Sequence, residues 1–501
     1  MNKTILSVIA GGVFAALVLC TSSKADDFTW SATDTGLWSD GANWVGGVAP
    51  SGDDIALLTP TGYGQLNLDT DVSIGSFTAS LATSGTWNIR AYGATRSLTI
   101  DSLVKGGSGY LYISNSANNS SLLNLTIGSI THTTSRLALG EANTAVKINS
   151  VIVTGKTTVS GSAILYANAT TAVFDEVSLS GTAAFEIYAN RGGSSTSHNT
   201  GGATVAGLSG TSGQVRTIYA SLTTQYVDGT LTLDPAAGAA YSFGGTIVNR
   251  GSSGGVVTLS LVKDGAGTQH LSGANTYTGT TTVNAGALYV NGSHLGTVTD
   301  TGTAVATGAG TYTVNDGGLL GGIGTITTAD ADVVIKAGGK LEAGDPTVSS
   351  GIGTLTFALG TGKLDIKEAL SSAGALLFDL GSIAESDRIV LTTGSIDIGT
   401  GLLGLDSFSF TVPGSLEEGT YTLLSSSQSI IGTLGANLAG VLDGREVALA
   451  FANGNRDIVL TVAGAAVPEP STLAALSGVG ALAVAFLARR RFSRPVPGAK
   501  R

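Results

Sequence analysis

Short apolar runs that alternate with polar residues, and that recur at intervals near twenty residues, restrict the fold of this chain most strongly. One pair of such units lies twenty residues apart, at Val159-Ser160-Gly161 with Leu165 and at Leu179-Ser180-Gly181 with Phe185. A second series of units starts at Val283, Val314 and Ile335, with spacings of 31 and then 21 residues. An imperfect period of this length with Gly-rich turns is typical of a parallel β-helix. The sequence therefore predicts an all-β fold, a right-handed parallel β-helix (solenoid), and a β-sandwich array is the alternative.

The composition favours a folded, exported and acidic protein. The 501 residues include 73 Gly, and only 12% are charged. The Val, Ile and Leu residues fall in short runs bounded by Gly or Asn, which is a strand signal rather than a sign of disorder. The net charge is −10, and it becomes −17 without the eight basic residues and one acid of segments 1–25 and 468–501. An acidic surface repels nucleic acid, so no nucleic-acid partner is expected.

The first 25 residues have the pattern of a secretory signal peptide, which is expected to be helical. Lys3 provides the positive start, residues 5–20 are apolar, and a small-x-small site predicts cleavage between Ala25 and Asp26. The Sec translocon is then the export partner. Cys20 raises lipidation as an alternative, although Leu19 stands where lipoprotein signals have a small residue. After cleavage at Ala25 the chain has no cysteine, so disulfides and cysteine-bound metals are unavailable.

The C-terminal residues form a second targeting segment. An apolar run at 473–488 predicts a transmembrane helix of about 24 Å at 1.5 Å per residue. Basic residues after such a helix stay in the cytoplasm. The run is preceded by Val467, Pro468, Glu469 and Pro470 and followed by Arg489, Arg490 and Arg491.

This tail resembles the PEP-CTERM sorting signal of Gram-negative bacteria, and an ordinary C-terminal anchor is the alternative. The resemblance implies an exosortase-like processing enzyme as partner, with action near Pro468-Glu469-Pro470. It also implies transient contact with the inner membrane and association with exopolysaccharide or other surface proteins. The expected location is the cell surface or extracellular matrix, after passage through the inner membrane.

A second motif lies in the middle of the chain, at residues 261–292. It contains the segments Lys263-Asp264-Gly265-Ala266-Gly267, Leu271-Ser272-Gly273-Ala274-Asn275-Thr276-Tyr277-Thr278-Gly279 and Val283-Asn284-Ala285-Gly286-Ala287-Leu288. It resembles the autotransporter-associated β-strand repeat. The resemblance implies a surface-exposed β-helical stalk and implies no activity. Unlike autotransporters, the chain ends in an apolar segment and a basic tail rather than in amphipathic barrel strands.

Three of the four tryptophans, Trp30, Trp38 and Trp44, lie within fifteen residues. Clustered aromatic rings can stack on sugars, which makes these three residues candidate glycan contacts. The alternative is a cap, because the first coil of a solenoid must cover its apolar end. The neighbouring Asp53 and Asp54 suggest either a weak Ca²⁺ site or a solvated turn.

Catalytic chemistry has little support in the sequence, which predicts no cofactor and no metal site. The histidines His132, His198, His270 and His294 lack metal-ligand spacing and are expected at the surface or in turns. A β-helical polysaccharide lyase or glycoside hydrolase is the enzyme alternative, and it needs clustered carboxylates. The densest candidates are Asp330 and Asp332 with Asp345, and Asp264 with Lys263.

These features predict a non-enzymatic, exported surface or matrix protein that acts in adhesion or in exopolysaccharide and biofilm association. The expected segments are a signal peptide (1–25), a Trp-rich cap (26–56), a parallel β-helix (57–376), a C-terminal β module or end of the β-helix (377–464) and the sorting signal (465–501).

Overall fold

The computed structural model describes residues 25–82, 85–115, 121–140, 148–187, 199–217, 227–249, 257–300, 303–306 and 308–464. These residues form strands and turns, and their helices are three single 3-10 turns at Gly41–Asn43, Ala369–Ser371 and Leu405–Ser407. The all-β prediction is thus confirmed for the described residues. The chain divides into two compact units, Met1–Thr281 with Leu295–Thr307 and Thr282–His294 with Gly308–Arg501.

The strands are numbered in chain order. The first twenty-one are β1 (Asp27–Thr29), β2 (Thr35–Leu37), β3 (Ile55–Leu58), β4 (Gly64–Leu68), β5 (Val72–Leu81), β6 (Thr86–Ala91), β7 (Arg96–Gly107), β8 (Tyr110–Ser114), β9 (Leu123–His132), β10 (Arg136–Leu139), β11 (Ile148–Val153), β12 (Thr157–Val159), β13 (Ile164–Ala167), β14 (Ala169–Leu179), β15 (Ala184–Ile187), β16 (Asn199–Ser209), β17 (Gln214–Thr217), β18 (Val227–Leu233), β19 (Ala240–Phe243), β20 (Thr246–Val248) and β21 (Val257–Lys263). The following strands are β22 (Thr268–Leu271), β23 (Ala274–Asn275), β24 (Thr281–Val283), β25 (Gly286–Val290), β26 (Ser293–Leu295), β27 (Thr297–Asp300), β28 (Thr303–Ala306), β29 (Tyr312–Val314), β30 (Gly318–Gly321), β31 (Thr325–Thr327), β32 (Val333–Ile335), β33 (Lys340–Glu342), β34 (Thr354–Asp365), β35 (Leu376–Asp379), β36 (Arg388–Leu403), β37 (Phe408–Thr411), β38 (Gly419–Ser426), β39 (Ile431–Leu434), β40 (Ala439–Leu442), β41 (Arg445–Ala452) and β42 (Asp457–Val462).

In the first unit, strands that follow one another in the chain enter two different parallel sheets in turn. The first sheet contains the pairs β1–β3, β3–β5, β5–β7 and β7–β9, and continues through β11, β12, β14, β16 and β18 to β21. The second sheet has nine strands in the order β2-β4-β6-β8-β10-β13-β15-β17-β20. Strands that pair with the strand one coil later are consistent with the predicted parallel β-helix. A sandwich array would require antiparallel pairs instead.

Straight rows of aliphatic side chains fill the interior of the first unit. One row runs through β5, β7, β9, β11 and β14, and all its members are at most 2% exposed: Ile74, Ile100, Ile127, Val153 and Phe174. Period-two alternation places the neighbouring residues of each strand outside. Each fully buried side chain of this kind contributes roughly 1.5–3 kcal/mol through the hydrophobic effect.

The three clustered tryptophans pack over the first coils. Trp44 lies edge-on between Trp30 and Trp38, with ring centroids 5.0 and 4.9 Å away, and Trp38 also stacks on Phe77 of β5. All three rings are at most 4% exposed. This burial leaves no indole face exposed for a sugar to stack on. The following turn is braced by Asp54, which accepts hydrogen bonds from the backbone N–H groups of Asp26 and Ser51.

The second unit begins with parallel strands and ends in an antiparallel meander. One parallel sheet contains β25, β30, β33, β35 and β37, and another contains β29, β32, β34 and β36. Pairing becomes antiparallel in β38–β42, β41–β42 and β40–β41. The predicted boundary at residue 377 falls within β35, and parallel pairing continues to β39, since β38 and β39 both pair in parallel with β36.

The predicted terminal helices and most of their site residues lie outside the described residues. This holds for residues 1–24, Val467, Pro468, Glu469, Pro470 and Arg489 to Arg491, whereas Ala25 and Asp26 precede β1. Within the described ranges, no helix is long and apolar enough to cross a membrane.

Candidate functional site

The two sheets of the first unit present different chemistry to the outside. One outward row of the first sheet consists of Ser, Thr and aliphatic side chains, at Ser73, Thr99, Thr126, Ile152 and Val173. The second sheet instead carries amide, tyrosine and arginine side chains at outward positions of β4, β6, β8, β10 and β13. We call these residues the tyrosine–arginine face: Gln65, Asn88, Arg90, Tyr110, Tyr112, Arg136 and Tyr166.

Strand register brings these residues together. Asn88 of β6 is aligned with Tyr112 of β8, and Tyr112 is aligned with Ala138 of β10. Ala138 is in turn aligned with Tyr166 of β13. Neighbouring strands are about 4.8 Å apart, so the side chains of aligned residues on neighbouring strands are close enough to contact each other.

Arg136 is the centre of the tyrosine–arginine face. Its guanidinium carbon lies 5.0 Å from the ring centroid of Tyr110 and 4.7 Å from that of Tyr166, within cation–π range. Its Nη1 donates a hydrogen bond of 3.1 Å to the hydroxyl of Tyr112. Burial alone would lower the pKa of Arg136, but the three tyrosines raise it overall. The side chain is therefore a fixed, fully charged cation.

Access to the face differs along its length. Tyr110 is 39% exposed, Arg136 is half-buried, and Tyr166 is only 3% exposed. Arg90 is half-buried, and its Nη1 donates to Gln65 Oε1 over 3.4 Å. A ligand would therefore reach Tyr110 and the edge of Arg136, with Tyr166 as the supporting layer beneath.

Arg216 on β17 shows a different arrangement of the same residue type. Its Nε and Nη2 both lie within 2.7 Å of Glu186 Oε1, so a carboxylate neutralises it. No ion pair of this kind is present at Arg136 in the described part of the chain. Among these residues, Arg216 is thus paired with a carboxylate, whereas Arg136 is not.

The carboxylates proposed for an enzyme site do not form one. Asp330 is exposed and accepts hydrogen bonds from the Thr361 N–H and hydroxyl, which lower its pKa. Asp332 accepts from the N–H of Lys363, so both aspartates brace the next coil. Asp345 is buried elsewhere, where it accepts from Asn291 and Thr347.

The second unit contains an acidic cluster of Glu342, Asp345, Asp379 and Asp387, in which Asp345 and Asp387 are buried and Glu342 and Asp379 are half-buried. Burial, together with the Asp379 and Glu342 charges, raises the pKa of Asp387 to about 7. Its two carboxylate oxygens accept from the N–H groups of Gly353 and Asp379 at 2.7 and 2.6 Å. Tyr289 donates to Glu342 Oε2 at 2.6 Å. Oxygens engaged in this way stabilise the fold, and no metal-binding group of three or more His, Cys, Asp or Glu occurs among the described residues.

The expectation that the histidines are surface or turn residues is wrong for three of them. His132, His270 and His294 are all at most 6% exposed, and His198 lies outside the described residues. Burial lowers the pKa of His132 to about 4, so it is neutral at pH 7. His132 and His294 occupy inward-facing strand positions, which override the polar character of their side chains.

The second enzyme candidate, Lys263 with Asp264, is also structural. The Lys263 ammonium is buried and donates to the carbonyl of Gly265, and burial lowers its pKa to about 8. Asn275 accepts from the Ile247 N–H at 2.9 Å, and Gly273 must be glycine, since a Cβ there would lie 1.8 Å from the Gly245 carbonyl oxygen. The hallmark residues of the repeat therefore hold turns together.

Comparison of the sequence with known proteins gives two matching family models and one similar protein. Residues 261–290 match the model of the passenger-associated-transport-repeat, and residues 466–491 match the PEP-CTERM protein-sorting motif. The chain is also 38% identical over 106 residues to the Adhesin BmaC autotransporter of Brucella suis biovar 1 (strain 1330). That match covers 17% of this chain and 2% of the relative. The chain is therefore an exported cell-surface protein that carries a passenger-type repeat and a PEP-CTERM sorting motif.

Proposed function

We propose that this protein is a non-enzymatic surface or matrix adhesion protein, built on a right-handed parallel β-helix, that binds polysaccharide through the tyrosine–arginine face. The observation that carries the proposal is the arrangement of Tyr110, Tyr112 and Arg136 on neighbouring strands. An exposed tyrosine ring offers a stacking surface, and nearby amide and guanidinium groups donate to sugar oxygens. The similarity of one segment to an adhesin supports a role in adhesion.

The proposal includes the route of export. The signal peptide is cleaved between Ala25 and Asp26 after passage through the Sec translocon. An exosortase-type enzyme then processes the tail near Val467-Pro468-Glu469-Pro470, while Arg489, Arg490 and Arg491 hold the C-terminus inside. The matched sorting motif at 466–491 supports this second step.

Binding of the full-length protein to immobilised polysaccharides tests the proposed function. Replacing Tyr110 by Ala removes the exposed ring and is expected to weaken binding roughly two- to tenfold. Tyr92→Ala is the matched control, because Tyr92 is 52% exposed and lies in the turn after β6, outside the face. Equal losses in the two variants, or no binding by the wild-type protein, would refute the face as the binding site.

The enzyme alternative has a separate test. We expect neutral and acidic polysaccharides incubated with the protein to show no new reducing or unsaturated ends. Turnover that is lost in Asp330→Asn and Asp332→Asn variants would instead establish a lyase or hydrolase and overturn the scaffold proposal.

A further inference from the structure

Arg136 is a cation held in place by neutral aromatic side chains. Tyr110 and Tyr166 flank its guanidinium, and Tyr112 accepts the one hydrogen bond that it donates within the described structure. A guanidinium carries five donors in a rigid planar fork that matches a carboxylate. Its Nε is buried without a hydrogen-bond partner among the described residues, so the donors left for a ligand are those of the two Nη groups, and the orientation of the guanidinium is already fixed before any ligand arrives.

The charge of the strands around Arg136 also favours an anionic ligand. The strands β4, β6, β8 and β10 contain Arg90 and Arg136 and no Asp or Glu. The protein as a whole has 35 acidic and 25 basic side chains, so this patch has the opposite sign to the molecule that carries it. A local cationic patch on an acidic protein attracts anionic groups, and it does so selectively because the remaining surface repels them.

The exposed ring of Tyr110, next to Arg136, favours an anionic ligand that contains a sugar. The Arg136 guanidinium lies over one face of the Tyr110 ring, 5.0 Å from its centroid, so a sugar would stack on the opposite face. A carboxylate on a neighbouring sugar of the same polymer would then reach the guanidinium and receive charge-assisted hydrogen bonds, which are roughly twice as strong as neutral ones. A non-sugar polyanion would gain the charge interaction without the stacking.

We infer that the tyrosine–arginine face recognises uronic-acid polysaccharides, with Tyr110 stacking on one sugar ring and Arg136 binding a carboxylate of a neighbouring sugar in the same polymer. This inference rests on the proposed function and adds the chemical class of the polymer. It makes Arg136 a specificity-determining residue rather than a general contact. Arg216 does not share this role, because Glu186 already neutralises it.

Polygalacturonate and its methyl-esterified form are matched probes, because they share a backbone and differ in the charge of the carboxyl group. We expect the full-length protein to bind the acid form at least about tenfold more tightly at low ionic strength. Raising the salt concentration to about 0.15 M should weaken the acid form selectively, because the Debye length falls to about 8 Å. Polyglutamate, which has carboxylates but no sugar, should bind more weakly than polygalacturonate.

Arg136→Gln should abolish the preference for the acid form, so that the variant binds the acid and the ester with equal affinity. Arg456→Gln is the control, because Arg456 is an exposed arginine of the second unit. Equal binding of both polymers by the wild-type protein, or an Arg136→Gln variant that keeps the preference, would overturn the inference and leave the proposed function standing. Failure of both polymers and of neutral glycans to bind would refute the proposed function itself. Because the wild-type comparison requires no substitution, the test holds even if Arg136→Gln does not fold.

Discussion

The side chain of Thr157 places a hydroxyl inside an otherwise aliphatic row. The residue is fully buried between Ile130 and Val177, which are its register partners on β9 and β14. Its Oγ1 has no hydrogen-bond partner. A buried hydroxyl without a partner costs roughly 1–3 kcal/mol, so this position lowers the stability of the native protein.

Replacing Thr157 by Val should therefore stabilise the protein. Valine has nearly the same shape, and the expected gain is about 1 kcal/mol in the free energy of unfolding. Denaturant unfolding measures this change. Thr158→Val on the outward side of the same strand is the control and should have little effect. A loss of stability in Thr157→Val would mean that the hydroxyl has a partner in solution.

The raised pKa of Asp387 predicts that its contribution to the stability of the folded protein decreases as the pH rises. Its pKa is raised from 3.8 to about 7, so between these values the folded state holds a proton that the unfolded state has lost. Its contribution is complete below about pH 4 and disappears as the pH rises through 7, with a maximum slope of about 1.4 kcal/mol per pH unit. The buried His132 acts in the opposite direction, since its pKa is lowered to about 4.

Unfolding measurements between pH 4 and 8 on Asp387→Asn isolate this contribution. The variant should lose the decline in stability attributable to Asp387. It should also be less stable at low pH, because an amide nitrogen cannot accept the hydrogen bond of the Gly353 or Asp379 N–H. Asp330→Asn is the comparison, because Asp330 is exposed and its pKa is lowered. An unchanged pH profile in Asp387→Asn would contradict the assignment.

At the scale of the strands, stability depends on which side of a sheet a residue faces. Ile127 on β9 lies in a buried row between Ile100 and Val153, whereas Ile152 on β11 faces outward and is 38% exposed. The two isoleucines lie on paired strands and differ mainly in burial. They therefore form a natural test of the row architecture.

Ile127→Ala should reduce the free energy of unfolding by about 2–5 kcal/mol, because it leaves a cavity in the row. Ile152→Ala should cost well under half as much, since its side chain already contacts water. Equal costs would show that the rows do not carry the stability of the first unit.

The repeats and the alternating pattern were sufficient to predict strands, since short alternating runs bounded by Gly form few other kinds of secondary structure. The tyrosine–arginine face was missed because its members come from five strands that are distant in sequence, with Tyr112 lying 24 residues from Arg136 and 54 from Tyr166. A signal was present in principle. Shifting the sequence by 26 residues aligns Tyr110 with Arg136 and Tyr112 with Ala138, and the observed register has this shift. The burial of His132 and of Lys105, which are both fully buried, was not predicted either, because polar residues at inward positions resemble loop residues in a pattern-based analysis.

For the whole molecule, the decisive question is what delivers it to the surface. We expect deletion of residues 468–501 to abolish surface or matrix association and to leave the exported part folded, since the described strands end at Val462. Cell fractionation measures the location, and thermal unfolding of the truncated protein serves as the folding control. Unchanged surface association of a folded truncated protein would refute the sorting role of the tail.

The register of the second sheet in the first unit has a consequence for how weak contacts add up. Nine strands at about 4.8 Å spacing extend over roughly 38 Å. Each strand forms one rung of the sheet and presents its own outward side chains in register with those of the next rung. A polymer that lies along this direction can touch several rungs at once, so each further contact occurs within a single bound chain. Avidity then rises with the number of rungs engaged, even when every individual contact is weak. Polymer length, rather than the affinity of one sugar unit, would decide what stays attached.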